Sequence, residues 1–174
     1  ESRTMITDAG STKGDVILAA KEVLGKKACQ FVPAHPIAGG AQHGASAAKA
    51  DLFVGKQTIL CPLQENSPQD TDLIEGFWQS VGSVVKKISC VQHDAIYAAV
   101  SHLPHILSYA LMASVVNSED ADQKLSHVGA GFKDFTRIAA SSPEMWRDIC
   151  IANKEALLRE IDTYEAVLGH LKAQ

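Results

Sequence analysis

The hydrophobic pattern of this chain changes near Ser89, and that change limits the possible folds more than any other feature. Before Ser89, short extended runs alternate with runs of helical spacing. They predict strands at residues 3–7, 30–32, 57–60 and 84–88 and helices at 16–24 and 70–81. Strands that alternate with helices predict a parallel α/β sheet, which we place in a first domain at residues 1–88.

The second half of the chain, from Cys90 onward, has no strand signal. Residues 91–116 form one long helical run, in which Pro104 removes a backbone hydrogen bond and predicts a kink. A further helical stretch at 122–140 is interrupted by Gly129 and Gly131. A Ser-x-x-Glu capping box at residues 141–144 starts the last predicted helix, which extends to about residue 171. We therefore predict an all-α second domain at residues 89–174.

Composition and charge exclude several classes of protein. Of the 174 residues, 46% are apolar and 21% are charged, which is typical of a globular protein. The net charge of −4 gives no basic surface for nucleic acid. No continuous run of about 18 apolar residues occurs, which predicts no membrane span. The cysteines form no CxxC pair and no metal-ligand spacing, so we predict buried apolar thiols in a reducing cytoplasm: Cys29, Cys61, Cys90 and Cys150.

The segment DAGSTK (residues 8–13) lies where a predicted strand ends and a predicted helix begins. Ligands bind at the carboxyl ends of parallel strands, and the first backbone N–H groups of a helix attract anions. This turn is therefore a candidate ligand site. The alternative is an ordinary helix start, with Ser11 or Thr12 as its N-cap.

His35 follows a predicted strand and precedes Pro36, which favours an extended backbone at the sheet edge. Its neighbours Ile37 and Ala38 are apolar, as the surroundings of a nicotinamide ring are. A histidine that titrates near neutral pH can take a hydroxyl proton while a hydride leaves the same carbon. The alternative is a turn histidine with a structural role only.

Ser101 and His105 are four residues apart on the long predicted helix, opposite an apolar stripe. A solvated face would carry Lys and Glu, whereas this face carries small, neutral and sulfur-bearing side chains. It therefore predicts a pocket, with His93 on its flank. The alternative is a helix packed on both sides, in which the histidines only satisfy hydrogen bonds.

Arg137 follows Phe135 closely and precedes a short apolar run, so we expect its guanidinium to be half-buried. A guanidinium held in this way can bind a carboxylate through two parallel hydrogen bonds. The alternative is a structural ion pair with Asp134.

Five segments occur in one order along the chain: TDAGSTKG (7–14), HPIAGG (35–40), LFVGKQTILCPL (52–63), HDAIYAAVSHLPHILSYAL (93–111) and AGFKDFTRIAASSPEMWRDI (130–149). Together they resemble the prephenate/arogenate dehydrogenase family, most of all its bacterial cyclohexadienyl-type members. The ordered set covers nearly the whole chain and is much more specific than any one of its segments.

The resemblance implies an enzyme of tyrosine biosynthesis that uses NAD or NADP. It implies a Rossmann-type NAD(P)-binding domain, followed by an all-α domain through which a homodimer forms. The implied reaction is an oxidative decarboxylation, in which prephenate gives 4-hydroxyphenylpyruvate and arogenate gives tyrosine.

The same resemblance implies roles for individual residues. His35 and Ser11 would be catalytic, with His35 accepting the proton of the substrate hydroxyl. Cofactor contacts would come from Ala9, Gly10, Ser11, Ile37 and Gly39. Substrate contacts would come from Arg137, His105, Ser101 and His93.

The chain also departs from the family pattern. It lacks the G-x-G-x-x-G turn that opens a dinucleotide-binding domain, so we expect an α/β remnant that is inactive by itself. Ala41 and His43 stand where family members often have an acidic residue and a serine. The choice between prephenate and arogenate is therefore open.

Two other functions fit parts of the pattern. A non-catalytic helical interaction module on a degenerate α/β remnant would explain the second half, but not the joint presence of His35, Ser11 and Arg137. Another dehydrogenase of the β-hydroxyacid type would need a catalytic lysine on the long helix, and residues 91–116 contain none.

Overall fold

The computed structural model of the chain describes residues 4–39 and 45–174. The predictions that involve Arg3, Ala41 and His43 therefore lie outside the described residues. The chain divides into two compact units, Glu1–Ile96 and Tyr97–Gln174. This division falls within the first helix after the predicted boundary at residue 88.

The first unit contains a three-stranded sheet in the order β1-β2-β3, with β1 at Ala34–Pro36, β2 at Gln57–Leu60 and β3 at Val84–Lys87. β2 and β3 are parallel, but β1 and β2 are antiparallel, with His35 opposite Ile59. The prediction of a wholly parallel sheet is therefore wrong for β1. A parallel connection needs a crossover, usually a helix, and the described residues between β1 and β2 hold only a 3₁₀ turn at Ala45–Ala47.

The strands predicted at residues 3–7 and 30–32 are reduced, in the described residues, to one parallel bridge between Ile6 and Phe31. The amide of Ile6 donates to the carbonyl of Gln30, and the amide of Val32 donates to the carbonyl of Ile6, both at 2.9 Å. Residues Gly25–Gln30 form a 3₁₀ helix instead. The strand follows later than predicted, so that His35 lies inside β1 rather than beyond a strand end.

β1 bonds to β2 through alternate residues. The carbonyl of Pro33 accepts from the amide of Cys61, the residue after β2, at 2.9 Å. The amide of Ile37 donates to the carbonyl of Gln57 in β2 at 2.7 Å. The backbone groups of Ala34 and Pro36 therefore point away from β2. Pro36 has no N–H to lose at that position, which explains how a strand can contain it.

The first unit also contains two helices, α1 (Gly14–Leu24) and α2 (Pro68–Ser80), close to the predicted bounds, and α2 packs against the sheet. Ser67 caps α2, because its side chain accepts from the amide of Asp70 at 3.1 Å. The core of this unit is a cluster of buried side chains from the sheet, its flanking residues and α2: Val32, Ala34, Leu60, Ile74 and Trp78.

The long helical run Cys90–Val116 is helical throughout, with one irregular turn. It consists of α3 (Cys90–Tyr97), a π-helical turn (Ala98–His102) and α4 (Leu103–Val116). The amide of Leu103 donates to the carbonyl of Ala98, five residues earlier. Pro104 follows directly and has no N–H to donate, so the predicted irregularity takes the form of a widened turn.

The rest of the second unit contains four helices among its described residues: α5 (Ala121–Ser126), α6 (Ala130–Thr136), α7 (Pro143–Ala152) and α8 (Lys154–Lys172). A 3₁₀ turn follows α6 at Arg137–Ala140. The predicted break at Gly129 is confirmed, but Gly131 lies inside α6. The single long last helix was predicted wrongly, since it ends and restarts at Asn153, a buried residue.

The start of α7 also differs from the prediction by one residue. Ser142, not Ser141, is the N-cap, and its hydroxyl oxygen accepts from the amide of Met145 at 3.3 Å. The Ser142 hydroxyl in turn donates to the carboxylate of Glu144 at 3.1 Å. Ser141 contributes its carbonyl instead, which accepts from the hydroxyl of Tyr109 at 2.8 Å.

Among the described residues, Cys90–Val116 is long and apolar enough to cross a membrane by length and composition alone. Its most apolar stretch has a mean hydropathy of 1.3, and 17% of that stretch is buried within the chain. The prediction of no membrane span considered unbroken apolar runs, whereas this helix mixes apolar residues with serines and histidines. The core helix of a globular protein can be equally long and apolar.

We predict that Ser142→Ala lowers the free energy of unfolding by about 1 kcal/mol, because it removes the N-cap of α7. Ser141→Ala is the matched control and should change that energy by less than about 0.5 kcal/mol. Urea unfolding followed by tryptophan fluorescence measures both. A larger loss in Ser141→Ala would contradict the assigned cap.

Candidate functional site

The carboxylate of Asp8 ties the turn at residues 8–13 to β1. One oxygen accepts from the amide of Ala34 at 2.8 Å, and the other accepts from the amide of Gly10 at 2.9 Å. The second oxygen also pairs with the ammonium of Lys13. A side chain at Gly10 would place its Cβ 2.9 Å from that oxygen, so the turn requires glycine there.

Lys13 is the most unusual residue of this turn, because its side chain is fully buried. Its Nζ pairs with Asp8 and donates to the carbonyl of Ala34 at 2.7 Å. The outward-facing N–H and C=O of Ala34 are thus both satisfied, one by Asp8 and one by Lys13. Asp8 and Lys13 thus bind the backbone groups that a further strand would bind at this edge of β1, and they fix the peptide that precedes His35.

Asp94 caps the N-terminus of α1 from 80 residues away in sequence. Its Oδ1 accepts from the amide of Lys13 at 3.0 Å, and its Oδ2 accepts from the amide of Gly14 at 2.8 Å. The N-cap position is Lys13, which makes no side-chain cap, so the alternative of Ser11 or Thr12 as the cap is wrong. The amides expected to attract an anion are bound by this carboxylate instead.

The pKa of Asp94 is lowered. Burial by itself raises it, but the hydrogen bonds from His93 and from the amides of Gly14 and Lys13 outweigh that effect. Asp94 is therefore a carboxylate at neutral pH. It was not among the residues singled out from the sequence, although it directly follows His93.

His93 links Asp94 to His35. Its Nδ1 lies 2.8 Å from Oδ1 of Asp94, and its Nε2 lies 2.8 Å from Nδ1 of His35. The two rings meet edge to face, with centroids 5.0 Å apart. His93 is fully buried and His35 only partly. His93 thus lies behind His35 and has no accessible surface for a substrate, contrary to the expectation that it lines a pocket.

The other residues expected to contact a cofactor lie in the turn after Asp8 and directly after β1, the strand that contains His35. Ala9 is exposed, Gly10 and Ser11 are half-buried, and Ile37 and Gly39 follow β1, half-buried and exposed respectively. They offer small and apolar surfaces, which fit one face of an aromatic ring. The first amides of the helix beside them, those of Lys13 and Gly14, are already bound by Asp94.

In the second unit, His105 lies in a cluster with Trp146. Their rings stack with centroids 3.4 Å apart, and Nδ1 of His105 donates to the carbonyl of Ser101 at 2.9 Å. Burial lowers the pKa of His105, and the bond to the Ser101 carbonyl opposes that effect only in part. His105 and Ser101 are both half-buried.

His102 and Asn153 form a buried pair that the sequence did not indicate. The Asn153 side-chain amide lies 3.2 Å from Nδ1 of His102, and both residues are buried. Trp146 also meets the edge of the His102 ring, at 6.2 Å between centroids. An apolar cavity of about 530 Å³ lies against the same tryptophan, lined by Ile106, Tyr109, Pro143, Trp146, Arg147, Cys150, Ile151 and Lys154.

Arg137 is exposed, so the expectation of a half-buried guanidinium is wrong for the chain by itself. It begins a 3₁₀ turn at the end of α6. No ion pair within the described ranges includes Arg137, and the alternative of a pair with Asp134 is therefore not observed. Its guanidinium is accessible to an anionic ligand.

The cysteines are free thiols, but only Cys61 is buried; Cys29, Cys90 and Cys150 are half-buried. Burial raises the pKa of Cys61 to about 12, although nearby Lys13 opposes this. Cys61 therefore stays protonated, as expected of an apolar core thiol. Residues 4–39 and 45–174 contain no group of His, Cys, Asp or Glu side chains that could hold a metal ion.

Comparison with known families assigns both halves of the chain. A family model described as "Prephenate dehydrogenase, nucleotide-binding domain" matches residues 1–87, and one described as "Prephenate dehydrogenase, dimerization domain" matches residues 89–174. The fold is thus that of a nucleotide-binding α/β domain that is followed by a helical dimerisation domain.

Individual relatives agree with this class. Prephenate dehydrogenase of Bacillus subtilis (strain 168) is 37% identical over 165 residues, which are 94% of this chain and 44% of the relative. Cyclohexadienyl dehydrogenase of Zymomonas mobilis is 34% identical over 170 residues, which are 97% of this chain and 57% of the relative. The chain belongs to the prephenate dehydrogenase family, and it spans about half the length of these curated relatives.

A solved structure is similar over the same range. Prephenate dehydrogenase from A. aeolicus, in complex with hydroxyphenyl propionate and NAD+, superposes with a TM-score of 0.88 at 39% identity. The similar region covers 97% of this chain and 58% of that one. The fold predicted from the sequence, an α/β domain and then an all-α domain, is confirmed.

We predict that His105 makes stability depend on pH. Its pKa is lower in the folded chain than the ordinary 6.5, so the unfolded chain binds its proton first as the pH falls. The stabilisation is complete above about pH 6.5 and is lost below it. The fall in unfolding free energy from about pH 7.5 to 5.5 should therefore be smaller in His105→Gln than in the wild type, as measured by urea unfolding.

His127→Gln is the control, because His127 is exposed on the same unit. It should keep the wild-type pH dependence. An identical pH dependence in His105→Gln and the wild type would show that His105 titrates as it does in the unfolded chain.

Proposed function

We propose that the protein is an NAD(P)-dependent dehydrogenase that acts on prephenate, arogenate or both. The products would be 4-hydroxyphenylpyruvate from prephenate and tyrosine from arogenate, each with CO2 and the reduced cofactor. Membership of the prephenate dehydrogenase family supports this proposal. A relative named cyclohexadienyl dehydrogenase leaves both substrates open.

The observation that carries the proposal is the placement of His35. It lies in β1, its peptide is fixed by Asp8 and Lys13, and its Nδ1 is bound to buried His93 at 2.8 Å. A partly exposed imidazole that is held from behind is suited to proton transfer at its outer edge. A helical interaction module would have no use for this arrangement.

In the proposed reaction, His35 accepts the proton of the C4 hydroxyl as that carbon becomes a carbonyl carbon. The bound nicotinamide supplies the hydride acceptor. Loss of CO2 then returns an electron pair to the ring, and the phenol oxygen takes the proton back from His35. Ser11 would lie beside the same hydroxyl and orient it.

The cofactor would be NAD or NADP. The structure in complex with NAD+ supports this choice for its own protein, and the match to a nucleotide-binding domain extends it to this chain. The turn at Ala9–Ser11 and the residues Ile37 and Gly39 would contact the nicotinamide part. They are small or apolar and exclude water from one side of the ring.

Substrate binding would use residues of the second unit. Arg137, with its exposed guanidinium, would bind a substrate carboxylate through paired hydrogen bonds. Ser101 and His105 would contribute to the pocket wall. Burial keeps His105 neutral, and a neutral imidazole can donate and accept hydrogen bonds.

The second unit would form a homodimer. In the sequence, the boundary between the two functional domains would lie after residue 88. The match to a dimerization domain supports the homodimer, and so do large apolar side chains that the single chain leaves exposed on this unit: Val100, Val116, Ile151, Leu158, Val167, Leu168 and Leu171. Symmetric dimers bury such a patch against itself. A cytoplasmic location stays a prediction from cysteine usage.

We predict that His35→Asn, in the full-length protein, lowers kcat by about 10²–10⁴-fold, because asparagine cannot accept the hydroxyl proton. KM should change little, since the amide can still hydrogen-bond the hydroxyl. Initial rates are measured with prephenate and with arogenate, each with NAD+ and with NADP+.

His127→Asn is the control for the substitution itself, since His127 is exposed. It should leave kcat unchanged. If His35→Asn turned over at the wild-type rate with its preferred substrate, His35 would not be the proton acceptor.

We predict that the chain is a dimer, with a mass near twice 18.6 kDa by size-exclusion chromatography with light scattering. Leu171→Glu should shift the mass toward the monomer, because it places a charge on the exposed apolar face of α8. Leu18→Glu, at a position that is 71% exposed on α1, is the matched control. A mass of 18.6 kDa at all concentrations would contradict the dimer.

A further inference from the structure

The hydrogen-bond partners of His93 determine which of its nitrogens carries the proton. An ionised carboxylate only accepts hydrogen bonds. Oδ1 of Asp94 lies 2.8 Å from Nδ1 of His93, so His93 donates from Nδ1. In a neutral imidazole the other nitrogen is then an acceptor, which makes Nε2 of His93 an acceptor.

The same reasoning extends to His35. Its Nδ1 lies 2.8 Å from Nε2 of His93, and two acceptor nitrogens cannot share that contact. Nδ1 of His35 therefore carries the proton and donates. The ring of His35 then has its lone pair on Nε2, the nitrogen on the other side of the ring from His93.

We propose that Asp94 and His93 are positioning residues, which hold His35 in the tautomer whose Nε2 can accept the substrate proton. The inference rests on the proposed function of His35 and adds two residues that act through it. Neither residue needs to touch the substrate or the cofactor.

The orientation of Asp94 is itself fixed. Its two oxygens accept from the amide of Lys13, the amide of Gly14 and Nδ1 of His93. The carboxylate cannot rotate away from His93 without leaving the N-terminus of α1 uncapped. The helix thus holds the group that selects the tautomer.

Burial makes the selection strict. His93 is 0% exposed, so water cannot replace either of its partners. The protein alone decides the proton position in both rings. If the carboxylate is removed, His93 can carry its proton on Nε2 and donate to His35, which would put the His35 proton on Nε2 and remove the acceptor there.

The size of this effect is known from another kind of active site. When the carboxylate of a Ser-His-Asp triad is replaced by an amide, the imidazole adopts the wrong tautomer and kcat falls about 10⁴-fold. Here two imidazoles stand in series behind one carboxylate, so one change at Asp94 would reverse both.

A direct test is nitrogen NMR of the ligand-free, full-length protein with ¹⁵N-labelled histidine. Both His35 and His93 should show a protonated Nδ1 and an unprotonated Nε2, with signals assigned by their loss in His35→Asn and His93→Gln. A proton on Nε2 of His35 would overturn the inference. His35 would carry its proton on Nε2 if His93 were protonated on Nε2 instead of Nδ1. The same would hold if His93 were protonated on both nitrogens, so this one result detects either case.

A matched pair of variants tests the consequence for catalysis, and both keep Asp94 and the cap of α1. His93→Gln supplies an amide oxygen that can accept from His35 and an NH2 group that can donate to Asp94. His93→Leu supplies neither. We expect kcat to fall by about 10²-fold or more in His93→Leu and by less than about 10-fold in His93→Gln, with KM within about 3-fold in both.

Equal losses of kcat in the two variants would assign His93 to packing and overturn the inference, as would wild-type kcat in His93→Leu. Asp94→Ala should move the His35 proton to Nε2 in the NMR spectrum. If that variant does not fold, the comparison of His93→Gln with His93→Leu and the wild-type NMR spectrum still test the inference.

The failure of this inference is distinguishable from failure of the proposed function. If the wild-type protein turns over neither prephenate nor arogenate with NAD+ or NADP+, the proposed function fails whatever the tautomer is. If His35→Asn is impaired but wild-type His35 carries its proton on Nε2, the function stands and the positioning role fails.

Discussion

The buried ammonium of Lys13 is the constraint on which the site of the first unit depends. A charged side chain without water requires a counter-ion and acceptors, because the desolvation of an ion costs several kcal/mol. Asp8 provides the counter-ion and the Ala34 carbonyl provides a second acceptor. Since Ala34 precedes His35, satisfying this one charge also fixes the strand edge on which His35 lies. Breaking the pair of Lys13 and Asp8 would release both the peptide of Ala34 and the strand edge on which His35 lies.

Asp94 connects this edge to the histidines. It binds the backbone of Lys13 and Gly14 on one side and the ring of His93 on the other. The two carboxylates thus divide the requirements of the site: Asp8 neutralises a cation and aligns the backbone, while Asp94 caps a helix and orients a ring. Each uses its oxygens for more than one donor, which makes both positions hard to replace.

Local sequence rules predicted the parts of the fold that local interactions determine. They indicated α1, α2, β2 and β3, because apolar periodicity and turn residues mark them. They missed Asp94, whose cap acts across 81 residues to Lys13, and chose Ser11 or Thr12 instead. They also missed β1, which is short and contains Pro36; its register becomes visible only when β2 is placed beside it.

The long helix shows why composition alone is a weak guide to its environment. Its apolar content would suit a membrane, yet His93 and His102 on it are almost fully buried in the protein. Each has a side-chain partner from a distant part of the chain, His35 for His93 and Asn153 for His102. Such pairs require neighbouring chain segments at fixed positions, as packing within a protein provides. The apolar residues that stay exposed, such as Val100, are then available for a second copy of the same helical unit.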